Sequence, residues 1–218
     1  MSGMIITFEG GEGTGKSTQL KLLSDYLSAK SICNIATKEP GGTDIGLDLR
    51  RILVTGDKDK LDPVAEALLY FADRRVHLTG KVWPAMEAGE WVLSDRFADS
   101  TTAYQYFGYD KRVSRKVLDD LYALAVGDFV PDLTIIFDLD PEIGLKRSFA
   151  KADNMSVKET RFESRGLEFH QRMRHGFLEI AKENSDRCVV LDANKTIEDL
   201  HHDVVSVIEE RFNLQNAG

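Results

Sequence analysis

The 218 residues are 42% hydrophobic and carry a net charge of -8, which allows one sizeable core and excludes general attraction to nucleic acid or anionic membranes, since both need a basic face. No apolar run approaches the roughly 20 residues of a membrane helix, and no basic segment followed by an apolar stretch opens the chain, so a cytoplasmic protein is expected. Cys33 and Cys188 show neither metal-ligand spacing nor a CxxC pair, which predicts two buried structural thiols.

In chain order, apolar runs bounded by turn signals predict strands at Met4–Phe8, Ile32–Thr37, Trp91–Ser94, Leu133–Leu139 and Cys188–Asp192. Helical periodicity fills the intervals, at Lys16–Ala29, Asp44–Leu53, Pro63–Ala88, Ser100–Tyr106, Ser114–Val126, Pro141–Ala150, Thr160–Asn184 and Thr196–Phe212. Strands such as LTIIFDL lack in/out alternation, as expected when helices cover both faces of a parallel sheet. Right-handed crossovers then build a three-layer α/β sandwich in one domain, residues 1–218. The polar stretch SFAKADNMSVKET, Ser148–Thr160, lacks an apolar period and is read as a mobile loop between helices.

The first strand runs into ITFEGGEGTGKSTQLKLL, Ile6 to Leu23. Gly10, Gly15, Lys16 and Ser17 satisfy G-x-x-x-x-G-K-[ST] between a strand and a helix, the context of a phosphate-binding loop. The glycines turn backbone N–H groups inward as an anion nest, and the helix N-terminus adds partial positive charge. Gly10, Gly11, Glu12, Gly13, Thr14, Gly15, Lys16, Ser17 and Thr18 thus form the expected nucleotide-binding set, with Lys16 on the β- and γ-phosphates and the Ser17 hydroxyl on Mg²⁺. A flexible glycine turn capped by lysine is the bland alternative.

A bound triphosphate can react with water, as in a switch or motor ATPase, or with a second bound molecule, as in a kinase. A kinase needs a second pocket, and three segments suggest one. WVLSDRFADSTTAYQ puts Asp95 at the C-terminal end of a strand, where an acid can hold Mg²⁺, and Arg96 beside it, where paired donors suit a phosphate. A surface ion pair in an Asp-Arg turn is the competing reading. YFADRRVH places Phe71 and Arg74 on one helix face, able to stack a base and donate to its carbonyl, unless Phe71 is core and the arginines solvated. In TKEPGGTDIG, Pro40, Gly41 and Gly42 make a tight turn or a rigid substrate wall. Arg147, Lys151, Lys158, Arg161 and Arg165 flank or populate the polar loop and could neutralise two facing phosphates. None of the five histidines falls in a catalytic or metal-ligating arrangement.

With these residues laid out, the chain resembles the thymidylate kinases, P-loop enzymes that phosphorylate dTMP with ATP toward dTTP. The match runs from about Met4 to Phe212 and rests on FEGGEGTGKSTQ, TKEPGGT, SDRFADSTTAYQ, and GLKR followed by TRFES. The resemblance implies a five-stranded parallel sheet of the nucleotide-kinase variety, a homodimer, ATP and dTMP as substrates, Mg²⁺ as cofactor, and a lid over about residues 147–161. It further implies that Glu12 faces the acceptor's 3′-hydroxyl, Phe71 stacks on thymine, Arg74 donates to O4 and Thr101 sits at N3. Tyr104 would exclude a 2′-hydroxyl, and Arg50 and Arg96 would hold the acceptor phosphate. Pro40, Ser100 and Gln105 complete the implied substrate set, and Asp95 joins Ser17 at the metal. The stretch Gly11-Glu12-Gly13-Thr14 holds no arginine, so the lid must supply the catalytic cation beside Lys16 and Arg96; Arg147 and Arg161 are the candidates, as in the bacterial subgroup. Lys38 replaces the arginine common before EPGGT, and no arginine lies between Phe149 and Thr160. A kinase with another pyrimidine acceptor and a slow P-loop partitioning ATPase remain the rival readings.

Overall fold

A computed structural model describes residues 3–152 and 161–214. Strands β1 (Ile5–Gly10), β2 (Asn34–Lys38), β3 (Trp91–Asp95), β4 (Leu133–Asp138) and β5 (Cys188–Asp192) form one parallel sheet in the order β2-β3-β1-β4-β5. Each predicted strand is present, shifted at its ends by at most two residues. Helices α1 (Lys16–Ala29) and α9 (Ile197–Phe212) cover one face, burying Leu20, Leu23, Leu27, Leu200, Val204 and Ile208 against Ile6, Phe8, Ile135 and Phe137. The other face carries α3 (Pro63–His77), α6 (Arg115–Ala125) and α8 (Leu167–Glu183), which meet Ile5, Val92 and Ile136. Successive β1 residues thus enter opposite cores, the physical reason its sequence shows no alternation. Each large apolar side chain so buried contributes about 1.5–3 kcal/mol.

Three helices depart from the sequence expectation. The single helix expected over Pro63–Ala88 follows α2 (Asp44–Val54) as α3, a wide π turn at Leu78–Val82, and α4 (Trp83–Glu87). Pro84 has no N–H to donate, and the wide turn accommodates its ring. The helix expected at Ser100–Tyr106 starts at α5 (Ala98–Thr101) and continues as a π-helix over Thr102–Gly108. The helix expected from Thr160 begins only at Leu167, after a 3-10 turn at Glu163–Arg165, because Gly166 sits at φ 88, ψ 161, a region essentially restricted to glycine. Helix α7 (Pro141–Ala152) occupies the start of the expected loop Ser148–Thr160, and the rest of that loop lies outside the described residues. Cys188 is buried as expected, whereas Cys33 is exposed because it precedes β2, the edge strand.

This topology sets the site. Register pairs Phe8 with Asp95 and Gly10 with Phe137, so the C-terminal ends of β1, β3 and β4 lie side by side. The strand order changes direction around β1, and open parallel sheets bind ligands at such a point.

Candidate active site

β1 delivers the chain into the glycine loop, and Gly15 caps α1 in a left-handed conformation, φ 92. No side chain caps α1 and no acid sits in its first turn, whereas α2, α3, α6 and α9 are capped by Thr43, Asp62, Ser114 and Thr196. The first N–H groups of α1 therefore stay available to an anion. The Lys16 ammonium donates to the carbonyls of Gly11 at 2.6 Å and Gly10 at 3.1 Å and to Thr14 Oγ1 at 3.3 Å, and burial lowers its pKa to about 8. Ser17 Oγ donates to Asp95 Oδ2 at 2.6 Å, which unites the two expected metal ligands. The loop rests on α7 through two glycines: a Cβ on Gly13 would stand 2.1 Å from the Gly144 carbonyl oxygen, and one on Gly144 would stand 2.3 Å from that of Glu12.

A cavity of about 540 Å³ runs from this loop across the ends of β1 and β3 toward α3. Gly13, Thr14, Gly15, Lys16, Ser17, Thr18 and Arg147 line the loop side. Pro40, Arg50, Arg74, Thr101 and Gln105 line the far side, with Glu12, Asp95, Arg96, Ser100 and Tyr104 between. Arg96 Nη2 donates to Glu12 Oε1 at 3.1 Å, and the Tyr104 hydroxyl donates to the same oxygen. Burial alone would raise the Glu12 carboxyl, but the charges of Arg96 and Lys16 and the Tyr104 hydrogen bond outweigh it and hold it at about 2. On the far wall, the buried Glu39 accepts from Arg74 Nε at 2.8 Å and pairs with His77 Nδ1 at 2.9 Å. Asp73 Oδ1 accepts from the Gly41 N–H at 3.0 Å, so the turn carrying Pro40 is fastened to α3. Arg74 Nη2 reaches Thr101 Oγ1 at 3.1 Å.

Three groups of expected residues are placed differently. Gly10 and Gly11 do not line the large cavity; their carbonyls instead accept from Lys16. Phe71 is turned into the core, 5% exposed among Ala67, Val92 and Phe97. Tyr70, one residue earlier, lines the cavity in its stead. The i, i+4 spacing of Tyr70 and Arg74, one helical turn apart, is the sequence signal for it. Arg161 is 2% exposed and donates to the carbonyls of Leu53 at 2.9 Å, Asp57 at 3.1 Å and Lys58 at 2.9 Å, and to Glu66. Its guanidinium, satisfied by the last turn of α2, the following loop and α3, is an anchor and does not face the cavity. Among the two lid candidates, Arg147 alone lines the cavity.

Sequence reasoning missed Glu163, which lines the cavity and accepts from Ser148 Oγ at 2.9 Å; burial and the charge of Glu12 raise its carboxyl to about 7. It also missed Phe162, whose ring meets Tyr104 edge-on at 5.2 Å.

The family model for thymidylate kinase matches residues 8–204. A thymidylate kinase of Maridesulfovibrio salexigens is 45% identical over 211 residues, 96% of each chain. One from Caulobacter vibrioides is 44% identical over 97% of this chain and 99% of its own. The crystal structure of an Ehrlichia chaffeensis thymidylate kinase superposes with a TM-score of 0.75 at 33% identity, covering 96% of this chain and 99% of that one. With a phosphate-binding loop and a second lined pocket meeting at the ends of β1 and β3, the chain belongs to the thymidylate kinase family.

Proposed function

We propose that this protein transfers the γ-phosphoryl group of ATP to dTMP, giving ADP and dTDP, within the one domain of residues 1–218 and in the cytoplasm. No helix among the described residues is long and apolar enough to cross a membrane. The observation that supports the acceptor's identity is the far wall of the cavity, where the guanidinium of Arg74, a donor, and the amide of Gln105, which carries an acceptor oxygen, stand with Tyr70 and Thr101. Thymine offers O4 as acceptor and N3–H as donor, whereas cytosine reverses both, and an unmatched buried polar group is costly. A coupled assay of ADP formation from ATP and Mg²⁺ tests the reading: dTMP should raise turnover strongly and dCMP or dGMP little. ATP consumption indifferent to every nucleoside monophosphate would refute it.

The reaction needs no protein base. A nucleotide phosphate, with a second pKa of about 6, presents a nearly dianionic oxygen at neutral pH. That oxygen attacks the γ-phosphorus as the bond to the β–γ bridging oxygen breaks, and ADP leaves. Catalysis is positioning and charge stabilisation: Lys16 and the N-terminus of α1 hold the donor phosphates, Arg96 holds the acceptor phosphate, and Arg147 neutralises the transferring group. Ser17 and Asp95, a hydroxyl and a carboxylate already paired, are hard oxygen donors that would hold Mg²⁺. Bound there, the ion supplies further charge neutralisation at the β- and γ-phosphates.

Tyr70, four residues before Arg74, takes the role of base platform. Tyr70→Ala should raise KM for dTMP about tenfold or more with KM for ATP little changed, because base–aromatic stacking is worth about 1–3 kcal/mol. Phe71→Ala should instead lower thermal stability, by about 3–5 kcal/mol for a core phenylalanine, and leave the ratio of the two KM values unchanged. The reverse pattern would return the platform to Phe71.

A homodimer is also proposed. Leu68 and Val64 of α3 and Leu124 and Val117 of α6 are 52%, 44%, 82% and 38% exposed on adjacent helices, an aliphatic face suited to a second copy. Leu68→Glu should halve the mass measured by sedimentation; an unchanged mass would place the contact elsewhere.

A further inference from the structure

Glu9 is a fully buried carboxylate near the end of β1 that the reaction scheme leaves unused. Its Oε1 accepts from the backbone N–H of Phe97 at 2.7 Å and of Ser100 at 3.3 Å, and its Oε2 accepts from the Ser100 hydroxyl at 2.5 Å. The phenyl ring of Phe97, at the cap position of α5, offers no acceptor, so Glu9 satisfies the first N–H groups of that helix from the neighbouring strand.

The turn gripped in this way presents Arg96. That residue sits at φ 76, a left-handed conformation unfavourable for any side chain but glycine's lack of one. Its N–H donates to the Phe8 carbonyl at 2.9 Å and its carbonyl accepts from Ser94 Oγ at 2.8 Å. Ser100 Oγ, while donating to Glu9, accepts from Arg96 Nη1 at 2.9 Å; Nη1 also reaches the Gly10 carbonyl at 3.0 Å. Both Nη1 hydrogens are thereby used, and one Nη2 hydrogen goes to Glu12. Nε and the second Nη2 hydrogen remain, neither accepted by a described residue, on a planar fork suited to two oxygens of one phosphate. The dependence is mutual: burial and the charge of Asp99 push the Glu9 carboxyl up, the nearby Arg96 opposes them, and the balance lies at about 7.

We propose that Glu9 is a positioning residue for the phosphoryl acceptor: through Ser100 it fixes the Arg96 guanidinium so that its open edge meets the acceptor's phosphate. The proposal rests on the assignment of Arg96 to that phosphate. Equilibrium binding of dTMP and of thymidine, which shares base and sugar but lacks the phosphate, tests both in Glu9→Gln, Ser100→Ala and Arg96→Met. Arg96→Met should weaken dTMP about a hundredfold, and Glu9→Gln and Ser100→Ala about tenfold each, the loss of one charge-assisted hydrogen bond. Thymidine affinity and KM for ATP should stay within about twofold in the two relay variants, Glu9→Gln and Ser100→Ala. Ser100→Ala keeps the test intact if the buried Glu9→Gln does not fold. Relay variants that weaken dTMP and thymidine equally, or neither, overturn the relay while Arg96→Met still discriminates. If Arg96→Met leaves the dTMP-to-thymidine ratio unchanged, the assignment of Arg96 itself fails, and the relay with it.

Discussion

Lys16→Ala is expected to lower kcat by about a thousandfold or more, roughly 4 kcal/mol of transition-state stabilisation, with the melting temperature little changed. The ammonium lies over the glycine loop against two carbonyls and the Thr14 hydroxyl, and holds no partner in either apolar core. Its removal therefore takes charge from the phosphates and little from packing. Burial, the largest influence on this amine, lowers its pKa to about 8 against the raising effects of Asp95 and Glu12. In the free enzyme the charged form dominates below that value, so kcat/KM for ATP should fall as pH rises through about 8, and the variant should lose that limb. Steady-state profiles of parent and variant check both statements. Near-normal turnover in the variant would remove the donor phosphates from this loop.

Arg161→Met should be destabilised by about 3–5 kcal/mol, the usual result of stripping one partner from a buried ion pair. For a chain of this size that corresponds to a melting temperature lower by on the order of 10 °C. The methionine cannot donate to the carbonyls of Leu53, Asp57 and Lys58, and the fully buried Glu66 is left with Tyr109, Gln105 and Arg165. Adding Glu66→Gln should recover part of the stability, because it removes the charge left behind. At a temperature where the variant stays folded, kcat should lie within a few fold of the parent. A thousandfold loss of kcat in a folded Arg161→Met protein would instead make this residue a catalytic cation that leaves its anchor.

Which parts of this molecule were legible in the sequence follows from the range of the interactions. Strand runs, the glycine loop and the parallel order are local or periodic signals, and the described sheet follows them. Whether Phe71 or Tyr70 faces the cavity is a matter of helix phase: both are aromatic, adjacent and close to Arg74, and only the packing of α3 on β3 and α6 decides which turns inward. The fate of Arg161 depended on Glu66, 95 residues away, and charge near a polar loop says nothing about direction. Glu66 was still conspicuous as an acid within the apolar helix PVAEALLYF, and Glu9 within the apolar strand IITFEG. A carboxylate in such a setting announces a buried partner without naming it.

The contact between Gly13 and Gly144 ties the tolerance of two distant positions together. Backbone lies on backbone there, and Arg147 stands close enough that a Cβ on Gly13 would come within 3.1 Å of its own. Whatever tilts the root of α7 must also tilt the glycine loop, like two plates sharing one rivet. Libraries that vary α7 to retune the donor should therefore show a sharp asymmetry. Exposed positions such as Lys146 would accept many residues, whereas position 144 would accept almost none, although it touches no substrate.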